Sequence, residues 1–409
     1  MGQSNERSDV VIAGAGIAGL ALAAALGHAL KPKFSIFVCD PALGRDVPLD
    51  DRVSAITKSA RLLLATLGVW DRVEARAQPV HEMKITDSRL EDTVRPEFLN
   101  FEEDVSTGEP LAHMVEHRDL TIALRDVAES NGARLLSSGV EDYRVSDLEA
   151  IVGLAGGRSV ASPLLVAADG ARSKLRSIAG ISSVASAYGQ SGIVATIGHE
   201  RDHEGVAVQH FLPAGPFAIL PLTGRRSSIV WTESTAEANR IVALAPEEFQ
   251  KELSGRFGKK LGTIELLSPV RAYPLSRATA RNFVGDRFAL LGDAAHVIHP
   301  LAGQGLNLGL RDVAALAECI ADAARLGLDH GGPDVLKRYE RWRRSDTVAM
   351  GSVTDNLNRL FSNRSDTLRL VRDVGLGVVA RMPAVKNYFS YEAAGVSGEV
   401  PRLLRGEVL

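Results

Sequence analysis

Two hydrophobic patterns share the chain. Short, nearly continuous apolar runs at Asp9–Ala13, Phe34–Cys39, Leu164–Ala168 and Phe288–Leu291 read as strands, and each is followed by glycine or an acid. An Ala/Leu-rich helix follows the first run to about Leu30, and a second helix carries Leu62, Leu63, Leu64, Leu67 and Trp70 on its apolar side. His81–Ser88 alternates like a strand, residues 90–110 are acidic and loop-like, and Ala112–Glu116 is a strand leading into a helix through Leu120, Leu124 and Val127. Hairpin strands follow between Val140 and Ala168, with Gly156-Gly157 at the tip. From Gly192 to Pro274 the pattern turns β-rich, with strands at Gly192–Ile197, Val206–Leu212, Phe217–Pro221 and Ser227–Thr232, interrupted by one helix near Pro246–Phe257. Helices then fill Leu308–Asp329 and Val335–Asn363, before an amphipathic region, Leu368–Ala394, that carries Arg369, Arg372, Arg381 and Lys386.

This order predicts an α/β fold with α+β elements. A Rossmann-like nucleotide-binding domain takes residues 1–80, 111–185 and 275–330, a β-rich substrate domain with an antiparallel sheet takes 81–110 and 186–274, and a C-terminal helical region takes 331–409.

At 409 residues and 45% hydrophobic, the chain can bury a core large enough for two domains. A net charge of -3 with no sustained basic patch argues against a nucleic-acid partner. Cys39 and Cys319 lie in strand and helix interiors without metal-ligand spacing, which fits buried apolar roles in a reducing compartment. The polar start lacks the order of a secretion signal and no apolar run is long enough to span a bilayer, so the expected location is cytoplasmic or on a membrane face.

Candidate chemistry gathers where strands end. Gly14-Ala15-Gly16-Ile17-Ala18-Gly19 follows the first strand and opens a helix, and Asp40 ends the second strand about twenty residues on. Such glycines allow a tight turn and a close pyrophosphate approach, with phosphate at the helix N-terminus and the acid placed for ribose hydroxyls. Arg52 precedes the second helix, as a partner for a phosphate or carboxylate or as a solvated loop charge. Arg118 stands at another helix start, where it contacts a ligand or pairs with Asp119 or Glu116. Asp169-Gly170 follows the third strand, with basic residues just beyond. The fourth leads into Gly292-Asp293, a loop broken by Pro300, and a helix near Gly305, where Gly303 and Gly305 let backbone N–H groups approach a flat ring that becomes anionic. His296 and His299 lack a third ligand, so no metal site is expected.

The stretch from Leu290 to Asp312 resembles the Gly-Asp fingerprint of the flavin-dependent aromatic hydroxylases, the class A flavin monooxygenases. Ala-Asp-Gly-x-x-Ser-x-x-Arg, from Ala168 to Arg176, resembles their second fingerprint, which handles both FAD and NAD(P)H. The resemblance implies a para-hydroxybenzoate hydroxylase-like fold in which Asp293, after Gly292, holds the ribityl chain of FAD. It places Pro300, Gly303, Gly305, Leu306 and Asn307 along the isoalloxazine, with Pro300, Gly303 and Gly305 nearest the chemistry. Arg118 would contact FAD, and Asp169 would serve the cofactor from the second fingerprint. Asp-x-Arg-x-x-Ala at 50–55, followed by Ser59, Leu67-Gly68 and Trp70, is similar to the ubiquinone-biosynthesis branch and puts Arg52 near the FAD pyrophosphate.

The implied activity is hydroxylation of a polyprenyl phenol. NAD(P)H reduces FAD, O2 adds at flavin C4a, and the hydroperoxide transfers oxygen to the ring. The implied setting is the inner membrane face, by peripheral contact or within a ubiquinone-biosynthesis complex. A related FAD enzyme acting on a soluble phenol and a non-catalytic flavin-binding redox protein are the alternatives; the Trp-x-Trp-x-Ile motif expected of halogenases is absent.

Overall fold

A strand without a polar residue has no face to turn toward water, so it settles inside a sheet covered on both sides. In the computed structural model, which describes residues 6–47, 50–87, 97–102, 108–146, 148–298, 304–344, 347 and 400–409, Val10–Ala13, Ile36–Cys39, Leu165–Ala167 and Phe288–Leu290 are buried along their whole length. They form the middle of a six-stranded sheet in the order Val284–Gly285, Phe288–Leu290, Leu165–Ala167, Val10–Ala13, Ile36–Cys39, Arg134–Leu136. All neighbours are parallel except the first pair. The second strand begins at Ile36 rather than Phe34, because Ser35 turns aside to bond the Asp9 carboxylate. Helix Ile17–Leu30 packs against the sheet and against helices His117–Ser130 and Gln304–Arg325.

The β-rich segment builds a larger antiparallel sheet. Its order is His296–Val297, Arg271–Ala280, Ser183–His199, Arg226–Ser234, Gly215–Leu222, Val206–Leu212, Glu82–Asp87, Glu97–Glu102, with Ile264–Leu266 also paired to Ser183–His199. One pair, Val206–Leu212 with Glu82–Asp87, is parallel. Trp231, Phe217, Ile193 and Ile197 pack beneath Phe249 and Leu253 of helix Pro246–Phe257. Two strands run past the expected domain borders at 185/186 and 274/275, so the large sheet grows directly out of the nucleotide-binding part.

Two expectations need correction. Residues 90–110 are not all loop, since Glu97–Glu102 pairs antiparallel with Glu82–Asp87 as an edge strand; its acidic ends hid the short Phe98–Phe101 core from pattern reading. The late helix begins at Gln304, as expected near Gly305, but ends at Arg325 rather than Asp329, because Gly327 takes a left-handed φ of 68°. A further helix covers 333–344, and residues 400–409 return to pack Leu403 and Leu404 into the core. The amphipathic region with Arg369, Arg372, Arg381 and Lys386 lies outside the described residues, as does the rest of the expected 345–363 helix apart from Thr347. No helix among the described residues is long and apolar enough to cross a membrane.

Candidate functional site

Four of the glycine- and acid-bearing turns leave the same edge of one parallel sheet, because they continue neighbouring strands at their C-terminal ends. The turns also hold one another. Gly14 N–H donates to Cys39 O at 2.9 Å, Ala168 N–H to Ala13 O at 2.8 Å, and Leu291 N–H to Ala167 O at 2.9 Å. Gly14 has φ 115°, and a Cβ there would stand 2.2 Å from Ala168 O, so only glycine fits. Gly19 is equally closed, its added Cβ lying 2.1 Å from Gly14 O. Gly16 is different, for a Cβ there meets nothing within 4 Å. It caps helix Ile17–Leu30 without a side-chain bond, and no acid sits in the first turn. Ala15, Ile17 and Ala18 are half-buried around it. The open space beside Gly16 thus faces an uncapped helix N-terminus, which attracts anions. Asp40 orders the rim, with Oδ2 accepting from Ala15 N–H and Oδ1 from Ala42 N–H, both at 2.8 Å.

The turn carrying Asp293 is clamped almost atom by atom. Leu290 O accepts from the Tyr339 hydroxyl at 2.8 Å, Gly292 N–H donates to Asp312 Oδ2 at 3.1 Å, Ala294 O accepts from Arg176 at 2.7 Å, and Ala295 O accepts from Ala280 N–H at 2.8 Å. Asp293 itself is exposed, yet burial is the leading cause that pushes its carboxyl above the usual range, with His296 and Arg52 pulling it down and Asp312 pushing it up. Asp293 is thus both wetted and crowded. Asp169 is oriented by Leu175 N–H on Oδ2 at 3.2 Å, while its buried Oδ1 has no hydrogen-bond partner. An unsatisfied buried acceptor beside Gly14 is the kind of group that a bound ligand completes.

Arg52 reaches the same region. It is exposed and chelates Asp50, with Nε 2.9 Å from Oδ1 and a terminal nitrogen 2.6 Å from Oδ2. That bonding raises the Arg52 pKa, and Asp293 and Tyr273 add to it. Beside the pair, His117 Nε2 lies 2.7 Å from Ser54 Oγ, and burial with the nearby Arg52 charge lowers the His117 pKa to about 4. Arg118 is exposed, and the carboxylates on either side of it are taken elsewhere, Glu116 by Arg226 at 3.2 Å and Asp119 by Arg76 at 3.1 Å. Pairing with those neighbours is therefore not what Arg118 does.

Helix Gln304–Arg325 packs behind the Asp293 turn, its first turn free of acids. A Cβ at Gly305 would meet nothing within 4 Å among the described residues. Leu306 is half-buried against the core. The Asn307 side chain is committed within the protein, donating to Ala55 O at 2.7 Å and accepting from Thr57 N–H at 3.2 Å, which ties this helix to the strand after Arg52. Pro300, Gly303 and His299 lie outside the described residues. His296 donates to Asp312 at 2.5 Å, and no cluster that could hold a metal occurs among the described residues.

The open space at Gly16, the uncapped helix, the unsatisfied Asp169 oxygen and the accessible Asp293 fit an extended dinucleotide laid along this edge. Sequence reasoning missed the residues that support it: Asp312, Tyr339, Arg343 and His117. Asp312 left little signal, since it follows Arg311 in a stretch, Leu308–Ile320, that also carries Glu318.

The sequence pattern of the FAD binding domain family matches residues 7–353. The ubiquinone hydroxylase UbiL of Rhodospirillum rubrum is 42% identical over 99% of this chain and 94% of its own length. The 3-demethoxyubiquinol 3-hydroxylase of Escherichia coli is 34% identical over 96% of this chain and all 100% of its own. Among solved structures, the p-nitrophenol 4-monooxygenase PnpA of Pseudomonas putida matches with a TM-score of 0.76 at 18% identity, over 95% of this chain and 99% of that one, which shows the fold.

Proposed function

The chain belongs to the FAD binding domain family, among its FAD-dependent aromatic monooxygenases, and from that premise we propose that it hydroxylates the ring of a polyprenyl phenol on the way to ubiquinone, with NAD(P)H and O2 as co-substrates. The observation that carries the site is Asp293, a carboxylate left open on a turn whose surrounding backbone is otherwise bonded. Bound FAD would supply the activation of dioxygen; the chain binds, orients and shields.

Each residue then has a physical task. The helix start at Gly16 receives the pyrophosphate, with Arg52 as its nearby counter-charge, and Asp40 and Asp169 accept from hydroxyls. Asp293 accepts from the ribityl chain. The helix start at Gly305 would offer its N–H groups and dipole to a bound flavin ring that carries negative charge. The mostly apolar strands of the large sheet wall off the phenol ring from water. Peripheral contact with an anionic bilayer through Arg369, Arg372, Arg381 and Lys386 would bring the greasy tail within reach.

The test is a quinone profile of a deletion strain. Loss of ubiquinone with accumulation of a prenyl-phenol precursor, reversed by the intact gene, is expected. Normal ubiquinone would move the reading to a soluble phenol.

A further inference from the structure

Asp312 is fully buried, so it touches no ligand, yet it makes the densest set of polar contacts behind the site. Its Oδ2 accepts Gly292 N–H at 3.1 Å and His296 Nε2–H at 2.5 Å, and its Oδ1 accepts Arg343 Nε–H at 2.7 Å. Gly292 and His296 bracket Asp293 on both sides, and Arg343 comes from the helix at 333–344. One carboxylate therefore grips the turn before and after the exposed acid and is itself gripped from behind.

We propose that Asp312 is a positioning residue for the flavin site: it fastens the Gly292–His296 turn to helix Gln304–Arg325, so that the Asp293 carboxylate and the start of that helix address one ligand at a fixed separation. The proposal rests on the reading of Asp293 as the ribityl acid. Gly292 holds φ 59°, and glycine samples positive and negative φ about equally, so little in its own backbone stops the turn rotating once its N–H is released. Asp312 lies two helical turns after Gly305 on the same helix, so a shift of the turn is a shift relative to the ring-facing helix start. Arg343 keeps the carboxylate ionised and satisfied, which a buried acid requires.

A double-mutant cycle on the full chain tests this, read by FAD titration of the apo-protein, its melting curve and the visible spectrum of the bound flavin. Asp293→Asn and Asp312→Asn should each weaken FAD binding by about tenfold or more, and Asp312→Asn should also shift the flavin bands. The double variant should bind no worse than Asp293→Asn alone, since Asp312 acts through Asp293. Losses that multiply, or unchanged binding in Asp312→Asn, overturn the positioning role. Unchanged binding in Asp293→Asn instead removes the ribityl reading beneath it. If Asp312→Asn does not fold, His296→Gln, which keeps a donor, should retain FAD, whereas His296→Leu should lose it only when Asp293 is present; retention by His296→Leu overturns the proposal.

Discussion

Gly16 and Gly19, three residues apart in one motif, do opposite work. A methyl at Gly19 would strike Gly14 O, while one at Gly16 would enter open space. Gly19→Ala should thus destabilise the apo-protein by about 1–3 kcal/mol in urea melts, as overpacking does. Gly16→Ala should leave that melt within about 0.5 kcal/mol and instead weaken FAD binding, seen by titration. Asp293 offers a second separation of fold from function. Its carboxyl pKa is raised in the folded chain, so its share of stability is present while it is protonated and is lost as pH rises through the raised value. Asp293→Asn should therefore melt no lower than wild type at pH 8 and yet hold FAD less well. Gly16, Gly19 and Asp293 were all legible, since their spacing after a strand names them. Asp312 was not, because its partners His296 and Arg343 lie 16 and 31 positions away and only the fold joins them.

Elements were legible where one force dominated. The four interior strands follow from uninterrupted apolar runs, and helix Ile17–Leu30 from the unbroken Ala and Leu of Leu20–Leu26. The edge strand Glu97–Glu102 was not, because edges carry charge and owe their shape to a neighbour. Strand Ala112–Glu116 and the helix at His117 carry a pH dependence that no motif announces. Burial lowers both His113 and His117 to about 4 from an ordinary 6.5, with Arg61 and Arg52 contributing respectively. The unfolded chain takes up these protons first as pH falls, so stability is intact above 6.5 and declines toward 4. For His117 the full effect is on the order of 3 kcal/mol. His117→Gln should flatten this part of the stability profile, measured by urea melts between pH 7 and 4.5, roughly the span of the shift.

At the scale of the molecule, the domain order was readable from the change of period near Gly192, but the join was not. Strands Ser183–His199 and Arg271–Ala280 carry the ladder from one part into the other, and a pattern that seeks loops at borders overlooks strands that ignore them. A paired ribbon resists bending far more than a loop, so the two parts should keep their separation when cofactor binds. Distances between spin labels on helix Pro246–Phe257 and helix His117–Ser130 should be the same with and without FAD; a clear change would place a hinge in the ribbon.

The strand order also sets a timetable. Val10–Ala13, made well before its partners, pairs with Leu165–Ala167, which pairs in turn with Phe288–Leu290. The clamps on the Asp293 turn arrive later still, with Tyr339 and Arg343. A growing chain thus carries an unfinished β edge from the emergence of Val10–Ala13 until Phe288–Leu290 inserts, exposed to wrong partners meanwhile. Flavin capture becomes an act of completion, available only once Tyr339 and Arg343 have emerged.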